Sequence, residues 1–280
     1  QRNNMKNELK CNGELITINN HNIHIYRTGN KSNQTLIFMS GSGTVSPVYD
    51  FKILYSKLAK NFRIIVIEKF GYGYSDIFDC DCNIDTIVKL EKEILDILGE
   101  KIPYFLVPHS MSGLEAIRWK QLYPEQVKGI IGLDMATPLS YKNWTNKVIE
   151  SKIKMMQNFR KFKIQNIPFV YPINKKGLSK EEIKQLKLLI KRNAFNDCYI
   201  NEAKILLKNV EVVENNGEIK CPTLLFSSNG KQTMKNWVSS QKEFAKTMNA
   251  ELICFDCGHY IHYYKSEEIS KKIIEFVNEL

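Results

Sequence analysis

The chain has 280 residues, of which 43% are hydrophobic and 25% are charged, so it is long enough to bury a full core and resembles an ordinary globular protein in composition. No stretch approaches the roughly 18 consecutive apolar residues that a membrane-spanning helix needs, and no signal peptide is recognisable. The formal net charge is +10, but no nucleic-acid-binding motif accompanies it, so we expect no nucleic-acid partner.

The first half of the chain alternates predicted strands and helices. Two short strands, over 15–18 and 23–26, flank the turn signal Asn19-Asn20 and are typical of a hairpin. The elements that follow are, in chain order, a strand over 35–39, a helix over 51–59, a strand over 64–67, a helix over 84–98, a strand over 104–107, a helix over 114–123 and a strand over 130–133. This alternation predicts βαβ units around a mostly parallel central sheet flanked by helices.

The alternation then stops for about eighty residues. Residues 138–217 are helical in period, with Pro168 and Pro172 as interruptions, and contain 16 Lys and Arg residues against seven Asp and Glu residues. The alternation resumes with a strand over 223–226, a helix over 237–248, a strand over 252–255 and a helix over 269–277. We therefore predict an α/β core formed by residues 1–137 and 218–280, with residues 138–217, the insert, forming a helical lid.

The cysteines do not indicate a disulfide framework or a metal site. Seven cysteines are an odd number in a chain that is too large to need disulfides, so we expect free thiols. Cys254, Cys257, His259 and His262 have the spacing of a metal site. However, Cys254 falls in a predicted strand and the others in a loop, so we expect no metal here and no cofactor.

The segment from Pro108 to Gly113 joins a predicted strand to a predicted helix. A sharp turn at this junction would hold Ser110 in a strained conformation above the carboxyl edge of the sheet and would aim the next backbone N–H at the same point. Such a turn needs small residues two positions to either side, which Ser112 satisfies and Pro108 satisfies poorly. A plain strand–helix junction with a surface serine is the alternative interpretation.

The order of four motifs along nearly the whole chain resembles that of the α/β-hydrolase fold family. Residues 40–44 (SGSGT) stand where that family has its oxyanion loop, and residues 68–76 (EKFGYGYSD) are similar to its glycine-rich turn. Ser110 stands at the nucleophile position, and residues 256–259 (DCGH) resemble the histidine loop. The resemblance implies an α/β-hydrolase fold and a serine nucleophile.

The chain also departs from the usual family pattern. Pro108 and Ser112 replace glycines, and Ser40 stands where many members have histidine. The fuller string, which includes residues 132–138 (GLDMATP), looks like a bacterial subgroup of uncharacterised hydrolases, some of which carry an N-terminal membrane anchor. Because the sequence begins at Gln1, it leaves open a cytoplasmic location and a tether formed by a segment N-terminal to that residue.

A serine hydroxyl needs an adjacent base to act as a nucleophile. His259 follows the last strand at the same sheet edge as Ser110 and is the predicted base, with His262 as its rival. The resemblance implies that the backbone N–H groups of Ser42 and Met111 form the oxyanion hole.

A histidine base needs an acceptor on its other ring nitrogen. The commoner family position follows the strand before the last one, but residues 219–242 contain no Asp or Glu. Asp134 ends the strand that follows the nucleophile, at the same edge of the sheet, and some members of the family place their acid there. We therefore predict Asp134 as the acid, with Asp256, three residues before His259, as its rival.

These residues predict a serine hydrolase that cleaves an ester or related acyl bond of a small molecule through a Ser-His-Asp triad and an acyl-enzyme. An aminopeptidase would need carboxylates in the lid to bind a substrate ammonium group, and the basic insert is poorly suited to that. A hydrolase-fold binding protein with weak or no catalysis is the other alternative, supported by Pro108. The basic insert favours an anionic substrate or surface, and the oligomeric state stays open.

Overall fold

The computed structural model describes residues 8–167 and 174–280. Eight strands in these residues form one sheet: β1 (Glu14–Ile18), β2 (His21–Thr28), β3 (Thr35–Met39), β4 (Arg63–Glu68), β5 (Tyr104–Pro108), β6 (Val127–Leu133), β7 (Thr223–Ser227) and β8 (Glu251–Cys254). Their spatial order is β1-β2-β4-β3-β5-β6-β7-β8. Strand β2 is antiparallel to β1 and β4, and every later pair is parallel. The predicted fold class is therefore confirmed.

The same residues contain eight α-helices: α1 (Pro47–Leu58), α2 (Ile84–Ile97), α3 (Ser112–Leu122), α4 (Asn146–Lys161), α5 (Lys180–Asn193), α6 (Asp197–Asn215), α7 (Trp237–Met248) and α8 (Ile261–Asn278). Helices α4 to α6 belong to the insert, whose interrupting residues Pro168 and Pro172 lie outside the described residues. None of the described helices is long and apolar enough to cross a membrane.

Helix α8 begins eight residues earlier than its apolar pattern predicts. Its first turns bury His262 and Ser266 on the side that faces the core. Because both side chains are polar, the apolar periodicity that starts at Ile269 does not include them. Ile261, the first residue of the helix, is buried in the same apolar cluster as Ile269, and Lys265 between them has non-helical dihedral angles.

Both faces of the sheet are buried under helices. In β3, Ile37 and Met39 belong to one apolar cluster, and Leu36 and Phe38 to the other. Successive strand residues point to opposite faces, which explains why the parallel strands are continuously apolar. Helices α1 and α8 supply the cluster around Phe38, while α2, α3 and α7 supply the other. Loops at the carboxyl ends of the parallel strands are thus brought to one edge.

Two local predictions also agree with the structure. Asn19 and Asn20 have φ values of 51° and 64° and form the two-residue turn between β1 and β2, since the left-handed conformation suits this type of hairpin. The seven cysteines all lie within the described residues, and each is a free thiol.

Glu68, the last residue of β4, is a fully buried carboxylate that organises the surrounding loops. Its Oε1 accepts hydrogen bonds from Ser46 Oγ at 2.9 Å and from the Val48 amide at 3.1 Å. Its Oε2 accepts from the Tyr74 amide at 2.9 Å and lies 2.8 Å from His24 Nδ1. One side chain therefore fixes the start of α1 and the glycine-rich turn after β4.

His24 and Glu68 form an ion pair that is inaccessible to solvent. Burial alone lowers the pKa of His24, but the Glu68 carboxylate, and after it the Cys11 side chain, outweigh burial and raise this pKa to about 9. Because an unfolded histidine has a pKa of about 6.5, the stabilisation is fully present below pH 6.5. It is lost as the pH rises through 9.

We predict that this pair makes the free energy of unfolding fall by about 3 kcal/mol between pH 6 and pH 10. In Glu68→Gln the histidine has no carboxylate partner, so this fall should disappear, and the variant should be less stable at pH 6 by about 3 kcal/mol. Urea unfolding followed by circular dichroism measures both effects. Glu14→Gln, which changes a half-exposed carboxylate paired with Arg27, is the control and should keep the wild-type fall. An undiminished fall in Glu68→Gln would assign the pH dependence to another group.

Candidate active site

Ser110 lies in the sharp turn between β5 and α3 and has a φ of +55°. This left-handed conformation is strained for a residue with a side chain. The Ser110 carbonyl oxygen accepts hydrogen bonds from the Gly113 amide at 3.0 Å and the Ala136 amide at 2.7 Å, which hold the turn. Gly41 lies so close that an added Cβ would be 2.6 Å from Ser110 Cβ. The predicted turn is present at the carboxyl edge of the sheet.

Ser112, which replaces a usual glycine, adds contacts to this turn. Its Oγ lies 2.7 Å from the Met39 carbonyl oxygen and 2.9 Å from that of His109, and it accepts a hydrogen bond from the His109 amide at 3.1 Å. The closest backbone approach falls one residue later, where a Cβ on Gly113 would be 2.1 Å from the Ala136 carbonyl oxygen. Ser112 therefore fits the turn and ties it to β3.

A continuous hydrogen-bond chain joins Ser110, His259 and Asp134. Ser110 Oγ lies 2.9 Å from His259 Nε2, and His259 Nδ1 lies 2.6 Å from Asp134 Oδ2. Asp134 is fully buried, while the His259 side chain is 16% exposed. A proton on Nδ1 would be donated to Asp134, leaving Nε2 to accept from Ser110. The structure thus brings together the three predicted side chains, and their catalytic role stays a prediction.

Three N–H donors fix the second carboxylate oxygen of Asp134. Oδ1 accepts from the Ser228 amide at 2.8 Å, Trp237 Nε1 at 2.8 Å and Gln241 Nε2 at 2.9 Å. Trp237 and Gln241 are four residues apart on one side of α7. Sequence analysis missed these donors. The one indication in the sequence was that residues 219–242 lack carboxylates and carry Trp237 and Gln241 at helical spacing.

Two further side chains hold the loop that carries His259. His109 is buried and donates from Nε2 to the His259 carbonyl oxygen at 3.2 Å. Burial first, and then the neighbouring His259 and His262, hold the pKa of His109 well below its usual value, so it is neutral. Gln232 accepts a hydrogen bond from the His259 amide at 3.1 Å. His259 is therefore fixed through its backbone as well as its ring.

The rival residues make other contacts. His262 is fully buried, with Nε2 2.9 Å from Asp50 Oδ2. Asp256 is exposed and accepts a hydrogen bond from Asn229 at 2.8 Å. Over residues 8–167 and 174–280, no group of three or more His, Cys, Asp or Glu side chains is arranged to hold a metal ion.

Ser42 and Met111 carry the two predicted oxyanion donors. Met111 directly follows Ser110, and Ser42 directly follows Gly41, which contacts Ser110. In the described part of the chain neither backbone amide has a hydrogen-bond acceptor, so both N–H groups can serve a ligand. That they bind an oxyanion stays a prediction.

A chain of buried polar side chains connects the loop that contains Ser42 to the insert. The Tyr72 hydroxyl accepts from the Gly43 amide at 3.2 Å and donates to Glu202 Oε2 at 2.5 Å. Glu202, on α6, pairs with Lys69 Nζ at 3.1 Å, and Lys69 also pairs with Glu115 at 2.6 Å. Burial, and then the Glu202 carboxylate, raise the pKa of Tyr72 well above its usual value, so its hydroxyl stays protonated. No sequence motif indicated this connection.

A cavity of about 750 Å³ lies beside the loop that contains Ser42. Residues 42–46 line one side of it, and Gln232 and Tyr260 line the side towards His259. The insert contributes Asn174, Lys176, Leu186 and Ile190 to the lining. Small-molecule sites commonly have volumes of about 300–1,000 Å³, so the cavity is large enough for a small ligand.

Comparisons with known proteins agree with this architecture. A family model described as the alpha/beta hydrolase fold matches residues 34–266. YbdG, an uncharacterised protein of Bacillus subtilis, is 41% identical over 133 residues, which are 48% of this chain and 41% of YbdG. A proposed esterase/lipase of Haemophilus influenzae is 25% identical over 176 residues, which are 62% of this chain and 60% of that protein. The chain therefore spans less than two thirds of the length of either curated relative.

A solved structure shows the same fold. The crystal structure of a proposed lipase from Acinetobacter baumannii matches with a TM-score of 0.73, covering 99% of this chain and 94% of that one. The two sequences are 15% identical, so the likeness is one of fold alone.

We predict that Asp134→Asn slows the labelling of Ser110 by a fluorophosphonate by about 10⁴-fold. Three N–H donors require an oxygen at the Oδ1 position, so the asparagine must turn its NH₂ group towards His259. The imidazole then accepts at Nδ1 and carries its proton on Nε2, where it cannot take a proton from Ser110.

Labelling rates from intact mass spectrometry test this prediction, and circular dichroism checks the fold. The control is Asp256→Asn, which changes the exposed rival and should label at the wild-type rate. A wild-type rate in Asp134→Asn together with a large loss in Asp256→Asn would reverse the assignment of the acid.

Proposed function

The chain belongs to the α/β-hydrolase fold family, and we propose that it is a serine hydrolase that cleaves an ester or related acyl bond of a small molecule. The observation that carries the proposal is the hydrogen-bonded chain from Ser110 through His259 to the buried Asp134. A serine hydroxyl is a weak nucleophile by itself, and this chain supplies its base together with the group that orients the base.

In the first half-reaction, Ser110 Oγ attacks the acyl carbon while His259 Nε2 takes its proton. The carbonyl oxygen becomes an oxyanion, to which the amides of Ser42 and Met111 donate. When the tetrahedral intermediate collapses, the bond to the leaving group breaks, and His259 returns the proton to the departing oxygen. Asp134 stabilises the imidazolium throughout by accepting from Nδ1. The product of this step is an acyl-enzyme on Ser110.

In the second half-reaction, water replaces the leaving group. His259 takes a proton from the water as its oxygen attacks the acyl carbon, and the same amides bind the second oxyanion. Collapse breaks the bond to Ser110 Oγ, which recovers the proton from His259. The carboxylic acid then leaves, and the enzyme returns to its starting state.

The substrate binds, in this proposal, in the cavity beside the oxyanion loop, with the insert as its lid. Residues 42–46 would place the acyl group near Ser110, and Leu186 and Ile190 of the insert line the same cavity. Lys176 is an exposed basic residue of the lining, and Asp50, the acidic residue of the same lining, already bonds to His262 and Tyr263, which favours an anionic group on the substrate.

The two alternatives receive less support. An aminopeptidase needs a free carboxylate to bind the substrate ammonium group, but Glu202 of the insert is already paired with Lys69 and bonded to Tyr72. Pro108 favoured a binding protein with a weak or inactive site. In the structure Pro108 is accommodated as the last residue of β5, paired with Met39 of β3, and the experiments below distinguish this alternative.

We predict that Ser110→Ala abolishes ester hydrolysis and fluorophosphonate labelling while the fold survives, because the nucleophile is lost and its hydroxyl is not part of the core. A chain-length series of p-nitrophenyl esters measures kcat and KM, and the matched control Ser239→Ala removes an exposed hydroxyl on α7. Full labelling of Ser110→Ala would identify another nucleophile. A wild-type protein that neither labels nor hydrolyses would favour the binding protein.

We further predict that Tyr72→Phe lowers kcat by about 10- to 100-fold with little change in KM. The Tyr72 hydroxyl holds the oxyanion loop in place by accepting a hydrogen bond from the Gly43 amide. Because an oxyanion contact forms mainly in the transition state, a displaced loop should affect kcat more than KM. Removal of a whole donor costs about 10²–10³ in kcat, and a displaced loop should cost less.

The matched control is Tyr104→Phe, which deletes a buried hydroxyl at the start of β5, bonded to the Glu100 carbonyl oxygen at 3.2 Å. It should keep the wild-type kcat, and thermal unfolding should show whether the two variants are comparably stable. Equal losses in both variants, or a change in KM alone, would contradict a positioning role for Tyr72.

A further inference from the structure

Helix α4 presents apolar side chains to solvent. Val148, Met155 and Phe162, the residue just after the helix, are 37%, 45% and 66% exposed. They are seven residues apart, close to two helical turns, so they form a stripe about 21 Å long on one side of the helix. Ile149 is buried and attaches a different side of the helix to the core. The stripe is therefore not needed to hold α4 on the protein.

A row of lysines runs beside the stripe. Lys147, Lys154 and Lys161 each precede a stripe residue by one position, so the row lies about 100° around the helix from it. All three are exposed. Residues 142–167 contain seven Lys and Arg residues, and Glu150 is their one acidic residue. The positive charge of the insert is thus concentrated next to the exposed apolar side chains.

We propose that this face of α4 docks on an anionic lipid surface. A helix with apolar side chains on one side and lysines beside them lies in the plane of a membrane interface, with the apolar groups at the acyl boundary and the ammonium groups at the headgroups. Each lysine near such a surface contributes a favourable interaction with its negative potential. This docking is separate from the proposed catalysis and does not depend on it.

The spacing of the stripe favours lipid over an acidic protein as the partner. Successive stripe residues are about 10 Å apart along the helix, and the exposed polar residues Ser151 and Asn158 lie between them. A protein interface usually has a contiguous, closely packed apolar centre, which this pattern does not offer. Fluid lipid can surround three isolated side chains and still solvate the polar groups between them.

Vesicle sedimentation with the 280-residue chain tests the proposal. The protein should bind phosphatidylcholine vesicles that contain about 30 mol% phosphatidylglycerol far better than pure phosphatidylcholine vesicles. A rise in NaCl from about 0.1 M to about 0.5 M should weaken this binding, because salt screens the lysines. Equal binding to both kinds of vesicle, or binding to neither, would overturn the proposal.

A triple variant tests whether the lysine row of α4, rather than the overall positive charge of the chain, binds the vesicles. K147Q/K154Q/K161Q should bind the anionic vesicles about 100-fold more weakly, since each lysine lost removes about a fivefold factor. The control K31Q/K60Q/K101Q removes the same charge from exposed residues that precede β3, β4 and β5, at the edge opposite Ser110, and should bind like the wild type. Equal losses in the two triple variants would overturn the assignment to α4.

A second variant tests the apolar stripe. M155Q/F162Q keeps every lysine and should bind the anionic vesicles at least about 10-fold more weakly, because two side chains no longer enter the acyl boundary. Wild-type binding by this variant would overturn insertion of the stripe. Binding to soluble polyglutamate without binding to vesicles would also overturn the proposal, in favour of an acidic protein partner. Ser110→Ala should bind vesicles like the wild type, so a failure of docking is distinguishable from a failure of catalysis.

Discussion

The buried carboxylate of Asp134 imposes the requirement around which the site is assembled. A carboxylate without contact to water is costly unless each oxygen has hydrogen-bond partners. Here one oxygen faces His259 and the other accepts from the loop after β7 and from α7. The hydrogen bonds that this one carboxylate requires therefore fix the end of β6, the loop after β7, the start of α7 and the orientation of the histidine ring. The hydrogen bonds that stabilise the buried carboxylate are thus also those that orient the His259 ring.

A second set of buried polar contacts links the insert to the core. Glu68 fixes the glycine-rich turn after β4, and that turn carries Lys69 and Tyr72 to the insert residue Glu202. Burial strengthens each of these interactions and makes each of them costly to break. The loop that supplies Ser42 is consequently held from both the sheet and the insert. The outer side of α4 is outside this network and is open to solvent.

Much of the fold and of the site could be predicted from local patterns. The alternation of apolar runs and helical periods indicates a parallel sheet, and a parallel sheet brings the carboxyl ends of its strands to one edge. Ser110, Asp134 and His259 each follow such a strand within a few residues, so topology alone places them near one another. The absence of carboxylates over residues 219–242, together with the resemblance to family members that place their acid one strand after the nucleophile, then favoured Asp134 over Asp256.

By itself, the sequence indicated which side chains meet at the sheet edge, because each follows a predicted parallel strand within a few residues and the order of the motifs resembles that of the family. Only the tertiary structure decided what holds them there. Trp237 and Gln241 reach Asp134 from about one hundred residues away, and Glu202 reaches Tyr72 across 130 residues. Helical periodicity shows which side of a helix is apolar, but it does not show which buried polar group that helix will meet. That pairing depends on how the helices pack over the sheet, and packing is a property of the whole chain.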